Sequence, residues 1–265
     1  MRTRLWSDTP QGLVRAVLCL VAAIFTSWQA PADGAGWPVE WSMGNLHFHA
    51  DYDPGQDAAR WKELRDLRTD IARDLGIQIS DDPIHVILFA AKSDYERYLA
   101  TYFPGVPSRR AMFIKRRGPG MVFAFANPEM EIDLRHEMTH ALLNASLPYV
   151  PLWLDEGLAE YFERPREQRG ERSQLGLAND LKTLFGRVPA IEDLEAVEDL
   201  AHMRPTHYRA AWSWVHFMLH ESEQSRKVLH RFLADIQSGF PPGPLSRRVA
   251  AEIPGSSQRY LTHFR

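Results

Sequence analysis

The chain is almost without cysteine, with only Cys19 in 265 residues. That excludes a disulfide-stapled scaffold, a Cys-rich zinc finger and an iron–sulfur centre held by thiolates. Positive charge is not in excess either. Against 31 Lys and Arg stand 34 Asp and Glu, a formal net charge of -3, so there is no bulk basic field for nucleic acid. Long hydrophobic runs are missing as well. The apolar stretch from Ala16 to Trp28 falls short of the ~20 residues that a helix needs to span a bilayer. The sequence shows no internal repeat and no low-complexity tract. What it does have is length enough for a buried core, 45% hydrophobic residues and 11 histidines.

The start reads as a targeting segment. Arg2, Arg4 and Arg15 precede the apolar stretch, and Ala30-Pro31-Ala32 follows it as an A-x-A cleavage site. Residues 1–32 are therefore expected to be a signal peptide, the alternative being an uncleaved N-terminal anchor. Leu18 before Cys19, rather than a small residue, argues against lipid attachment there. Removing residues 1–32 takes away the cysteine, three arginines and Asp8. The remainder carries 28 basic and 33 acidic residues, a net charge of -5. This predicts an exported bacterial protein, periplasmic or extracellular, with no transmembrane segment in its mature form.

Residues 33–44, rich in Gly, Pro and Trp, read as a tether. Asn45 to Ala50 alternates like a strand. Trp61, Leu64, Leu67, Ile71 and Leu75 recur at helical spacing, with Gly76 as the stop. Ile84 to Ala90 is a continuous apolar run, hence a buried strand. Ser93-Asp-Tyr-Glu96 fits a capping box that opens a helix to about Tyr102. Two β-like runs, Ala111–Lys115 and Met121–Ala126, flank Arg116-Arg117-Gly118-Pro119-Gly120 and predict a hairpin at a sheet edge. Beyond it the pattern is almost wholly helical. The expected class is α+β, with a domain over 45–236 and a C-terminal loop plus short helix over 237–265.

Chemistry concentrates in Leu134-Arg135-His136-Glu137-Met138-Thr139-His140-Ala141-Leu142. On a helix, His136 and His140 lie one turn apart and present both imidazoles to one point. Zinc takes neutral imidazole nitrogen, and two such ligands make half of a catalytic site. Glu137 projects beside that face, where it can accept a proton from an attacking water. Leu134, Met138, Ala141 and Leu142 give the helix an apolar back. The bland alternative is a solvated helix that happens to carry two histidines. After Pro148–Pro151 comes a second amphipathic helix, Trp153-Leu-Asp-Glu156-Gly-Leu-Ala-Glu160-Tyr-Phe162. Its short connection favours a neighbouring antiparallel partner, bringing a carboxylate towards the two histidines.

His136-Glu-x-x-His140 followed by Trp153-Leu-Asp-Glu-Gly-Leu-Ala-Glu-Tyr161 resembles the gluzincin zinc metallopeptidases. The likeness is greatest to the bacterial "peptidase MA-like" group and more distant to the aminopeptidase N family. It spans roughly 45–235, with its sharp motifs at 132–163 and around 208. The resemblance implies a zincin-like fold with His136, His140 and Glu156 as Zn2+ ligands. It further implies Glu137 as general base and Glu160 as the carboxylate that orients a ligand histidine. Tyr208, on the segment His207 to Leu219, matches the residue that steadies the oxyanion; the alternative is a core stripe with Trp212, Val215 and Leu219. The Gly-x-Met-x-Asn element by which aminopeptidase N relatives hold a free amino end is missing. Gly120 to Phe125 stands there instead, as an edge strand that an extended peptide could join.

The function this predicts is zinc-dependent hydrolysis of peptide bonds in the cell envelope. Its rivals are a non-catalytic zincin-like binding module, a structural zinc domain, and a hydrolase of cell-wall amides using the same site. The expected partner is a peptide or protein substrate, cell-wall peptide included. Arg109-Arg110 and Lys115-Arg116-Arg117 make the hairpin basic, either as a charged edge that discourages aggregation or as an attractor of acidic peptide. His216 and His220, and likewise His47 and His49, read as packing or surface pairs rather than ligand pairs.

Overall fold

A computed structural model of the chain describes residues 36–55, 59–116, 118–171 and 188–264. The leader at 1–32 lies outside them. The first half is a five-stranded sheet in the order β1-β2-β3-β5-β4, built from β1 (Val39–Met43), β2 (Leu46–Ala50), β3 (Ile84–Phe89), β4 (Ala111–Ile114) and β5 (Gly120–Phe125). β2, β3 and β5 run parallel, and β1 and β4 close the two edges antiparallel. α1 (Ala59–Leu75) and α2 (Lys92–Tyr102) lie within this half. Helices then follow one another: α3 (Met130–Ser146), α4 (Leu152–Phe162), α5 (Ile191–Glu195), α6 (Pro205–His220), α7 (Glu223–Gln237), α8 (Leu245–Glu252) and α9 (Ser256–His263). The class is mixed α+β. No helix among the described residues is long and apolar enough to cross a membrane.

β5 is apolar throughout and β3 is apolar except for half-buried His85, because both of their faces are largely covered. Val86, Leu88, Val122 and Ala124 join the main core with Trp61, Leu67 and Ile71 of α1 and Leu134 and Met138 of α3. Ile87, Phe89, Phe123 and Phe125 face a second cluster with Tyr95 and Leu99 of α2. β2 has one wet face, so Leu46, Phe48 and Ala50 are buried while His47 and His49 are only half-buried. At the end of α1, Gly76 adopts φ +65°, and a Cβ there would meet the His230 ring at 3.0 Å.

Four expectations need correction. Residues 39–43 are a strand rather than tether. Gly44, at φ +62°, and Asn45 turn β1 into β2, and Trp41 stacks on Phe48 with centroids 4.5 Å apart, so β1 gains a packed face despite its Gly- and Pro-rich approach. The helix after β3 starts two residues earlier without a capping box: its N-cap is Ala91, not Ser93, and makes no side-chain cap bond. Gly120–Phe125 is not at the edge, since β5 pairs β3 on one side and β4 on the other; the edge strand is β4. Finally, the segment after 237 is part of the fold. Leu245, Val249, Tyr260 and Phe264 are buried in the main core, and the Tyr260 hydroxyl donates to Ser213 Oγ at 2.5 Å.

Candidate metal centre

α3 presents His136 and His140 on one face, ring centroids 5.0 Å apart, because four residues make about one turn. Its opposite face is locked in the core by Leu134, Met138, Ala141 and Leu142. Arg135 pins the helix to the end of α4, donating through Nε to the Glu163 carbonyl at 2.6 Å. α4 in turn sits close against α6: a Cβ on Gly157 would stand 2.8 Å from the backbone carbon and oxygen of Ala211. Only glycine permits that approach, and its neighbour Glu156 is thereby carried to the two histidines.

Glu156 is buried, 4% exposed. Its Oε2 lies 3.8 Å from His136 Nε2 and 3.8 Å from His140 Nε2. The same oxygen has no hydrogen-bond partner, although a buried carboxylate oxygen is costly to leave unmatched. Both outer ring nitrogens are matched. His136 Nδ1 donates to Glu163 Oε2 at 3.0 Å and His140 Nδ1 donates to Asp155 Oδ2 at 2.8 Å. Once each ring is neutral, these bonds keep the remaining proton on Nδ1 and leave the Nε2 lone pair for a cation. Two imidazole nitrogens and one carboxylate oxygen, all within 4.8 Å of one another, make a donor set that fits zinc with a fourth position open.

The carboxylate that holds His136 is Glu163, not Glu160 as the motif implied. Glu160 is close, forming a second acidic group with His136 and Glu163, but the hydrogen bond belongs to Glu163. Burial, then the charge of Glu163, pushes the Glu160 carboxyl up to about 7. At the metal-free triad, burial opposes a proton on His136, yet the neighbouring Glu156 and Glu163 carboxylates outweigh it and hold its pKa well above the usual value. The Glu156 carboxyl lies below its usual value: burial acts against ionisation, and His136 and His140 overcome it.

Glu137 reaches towards the sheet. Its Oε2 accepts the backbone N–H of Phe113 in edge strand β4 at 2.7 Å. Above it opens a cleft of about 370 Å³ lined by Arg109, Arg110, His136, Glu137, Glu160 and Glu163. Arg110 is paired with Glu129 and Asp133. Arg109 has no carboxylate partner among the described residues, and its charge acts on the nearby Tyr208 phenol, favouring ionisation. Tyr208 is half-buried at the start of α6, outside the stripe of Trp212, Val215 and Leu219, which is fully in the core. Its phenol is raised by burial first and by the Glu156 charge second.

The structure thus brings His136, Glu137, His140, Glu156, Glu160 and Tyr208 to one region. Sequence reasoning missed Asp155, Glu163 and the Phe113 amide, and it saw Arg109 only as hairpin charge. A signal for Glu163 was present: Glu156, Glu160 and Glu163 fall at i, i+4 and i+7, a single helical face. No protein-family profile matches the chain, and no curated protein is significantly similar to it.

Proposed function

We propose that this chain is a zinc-dependent metallopeptidase with a zincin-like fold of the gluzincin type, exported to the cell envelope by its leader. The observation that carries the reading is the buried Glu156 oxygen, without a hydrogen-bond partner and 3.8 Å from each of two imidazole Nε2 atoms whose rings are held by carboxylates at Nδ1. A cation at that point would satisfy all three groups together.

Zinc held by His136, His140 and Glu156 supplies Lewis acidity, which makes water a nucleophile near neutral pH and polarises a scissile carbonyl. The chain's own residues do the rest. Glu137 accepts the proton of the attacking water and returns it to the leaving amine. The Tyr208 hydroxyl and the Arg109 guanidinium offer donors to the carbonyl oxygen as it gains charge. An extended peptide can pair along the free edge of β4, beside Glu137. The unmatched charge of Arg109 favours peptides that carry a carboxylate near the cleaved bond.

The test uses the protein without residues 1–32, its metal content, and cleavage of a broad peptide library that includes cell-wall peptides. One zinc per chain is expected, with turnover that falls by about 10²–10⁴ in Glu137→Gln while the zinc remains. Zinc without any activity dependent on Glu137 would favour a binding module instead. Failure to bind zinc at all would remove both readings.

A further inference from the structure

The geometry points to a second binding site, for a phosphate group, in a cavity of about 290 Å³ away from the candidate metal centre. Four arginines line it: Arg73 at the end of α1, Arg166 and Arg169 in the segment after α4, and Arg226 in α7. Tyr161 and His220, whose hydroxyl and Nε2 lie 2.8 Å apart, complete one wall. None of these residues belongs to the histidine–carboxylate triad, and the inference does not depend on the peptidase reading.

Each guanidinium is anchored through part of its nitrogens. Asp70, only 2% exposed, accepts from Arg169 at 2.7 Å and from both Nε and a terminal nitrogen of Arg166, and it forms an ion pair with Arg73 at 3.2 Å. Arg73 Nε also reaches Asp74 at 2.7 Å. Arg169 donates through Nε to the Arg164 carbonyl at 2.9 Å, and its guanidinium stacks over Phe162. Arg226 has no carboxylate partner here; Nε and one terminal nitrogen grip the Leu219 carbonyl at 3.0 and 2.7 Å.

Two consequences follow from that wiring. Among the described residues, four arginines stand against the two carboxylates Asp70 and Asp74, an excess of two positive charges in a protein whose overall charge is negative. Each guanidinium also keeps at least one terminal nitrogen with no hydrogen-bond partner among the described residues, while the rest of the group is held in place. Guanidiniums held in place lose little freedom when they close on a ligand, and their paired N–H groups match phosphate oxygens. A doubly charged phosphate would meet the excess charge and occupy the spare donors. The cavity has room beyond one phosphate, so a small phosphomonoester fits as well as the free ion.

The experiment titrates inorganic phosphate and, separately, glycerol phosphate into the full-length folded protein. Ionic strength is held constant with chloride, and a chelator is present so that zinc does not compete. Calorimetry and phosphorus NMR report binding. One saturable site per chain is expected, weakened at least tenfold in Arg226→Gln and more in Arg73→Gln with Arg226→Gln. A charge-matched control, Lys92→Gln with Arg97→Gln on α2, should stay within twofold of the wild type. Tighter binding of the ester than of the free ion would identify a phosphorylated compound as the occupant, and the reverse would identify phosphate itself. Absence of saturable binding, or equal weakening in the control, would overturn the site. Circular dichroism checks the fold of each variant, and Arg226→Gln, whose side chain is exposed, serves alone if the double variant does not fold.

Discussion

Glu163 holds its carboxylate 3.0 Å from Nδ1 of His136, while Glu156 approaches the other nitrogen of the same ring. One imidazole is thus gripped from both ends. The outer carboxylate fixes the tautomer and the ring plane, and the inner one shares the ligand point. Glu163→Gln and, on the second ring, Asp155→Asn should each weaken zinc affinity by about 10- to 100-fold. Glu160→Gln should do much less, since the bond to His136 belongs to Glu163. Competition against a chelator of known affinity measures all three, and a larger loss in Glu160→Gln than in Glu163→Gln would reverse the assignment.

Zinc uptake should release protons. In the metal-free triad the pKa of His136 lies well above the usual value, with Glu156 and Glu163 overcoming the effect of burial. A folded-state pKa above the unfolded one gives stability that is fully present below about 6.5. That stability is lost as pH rises through the folded-state pKa. Metal-free protein should therefore weaken towards alkaline pH, and zinc affinity should fall on acidification because the metal has to displace the proton. Calorimetry in buffers of different ionisation enthalpy counts the released protons; none at pH 7 would contradict the shift.

His85 behaves in the opposite sense. Burial first, then the charges of His49 and His47, lower its pKa to about 4. Between about 4 and the usual 6.5 the unfolded chain binds more protons than the folded one, so stability contributed by this group grows as pH rises through that window. His85→Gln should flatten the pH dependence of the melting temperature there and leave it unaltered above pH 7. An unchanged slope would show that the ring titrates normally.

Tyr208→Phe should lower kcat by about 10²-fold, the loss typical of removing one oxyanion donor, with zinc content unchanged. Loss of thermal stability with normal turnover would instead make the ring a packing element.

Gly157→Ala should destabilise the protein by about 1–3 kcal/mol, because the added methyl would press on the Ala211 backbone rather than on a yielding side chain. Moving α4 from α6 also displaces Glu156, so zinc affinity should drop in the same variant. Thermal melts with and without zinc separate the two effects.

Much of this was legible in the sequence where local spacing and burial coincide. The pair His136 and His140 needs only the helical period. The run at 84–89 reads as a strand because both of its faces are covered. β1 was hidden because a five-residue strand beside Gly and Pro carries little pattern of its own, and its partner for packing, Phe48, lies in the next strand. A short final helix was expected after 237, whereas the helix at 245–252 was masked by the Gly- and Pro-rich stretch before it and by its own eight-residue length. Glu163 and the Phe113 amide were hidden for another reason. Both depend on how elements dock, the first on the rotation of α4 against α3 and the second on which strand ends the sheet.

The bonds from Tyr260 to Ser213 and between His263 Nε2 and His216 Nδ1, 2.9 Å apart, also set an order in time. Both anchor points lie on α6, the helix that begins with Tyr208. During synthesis α3 and α4, with the triad, leave the ribosome about a hundred residues before α9 does. The residues of the proposed triad can therefore meet while α6 still lacks these partners, and the start of α6, with Tyr208, is anchored only once α9 has docked.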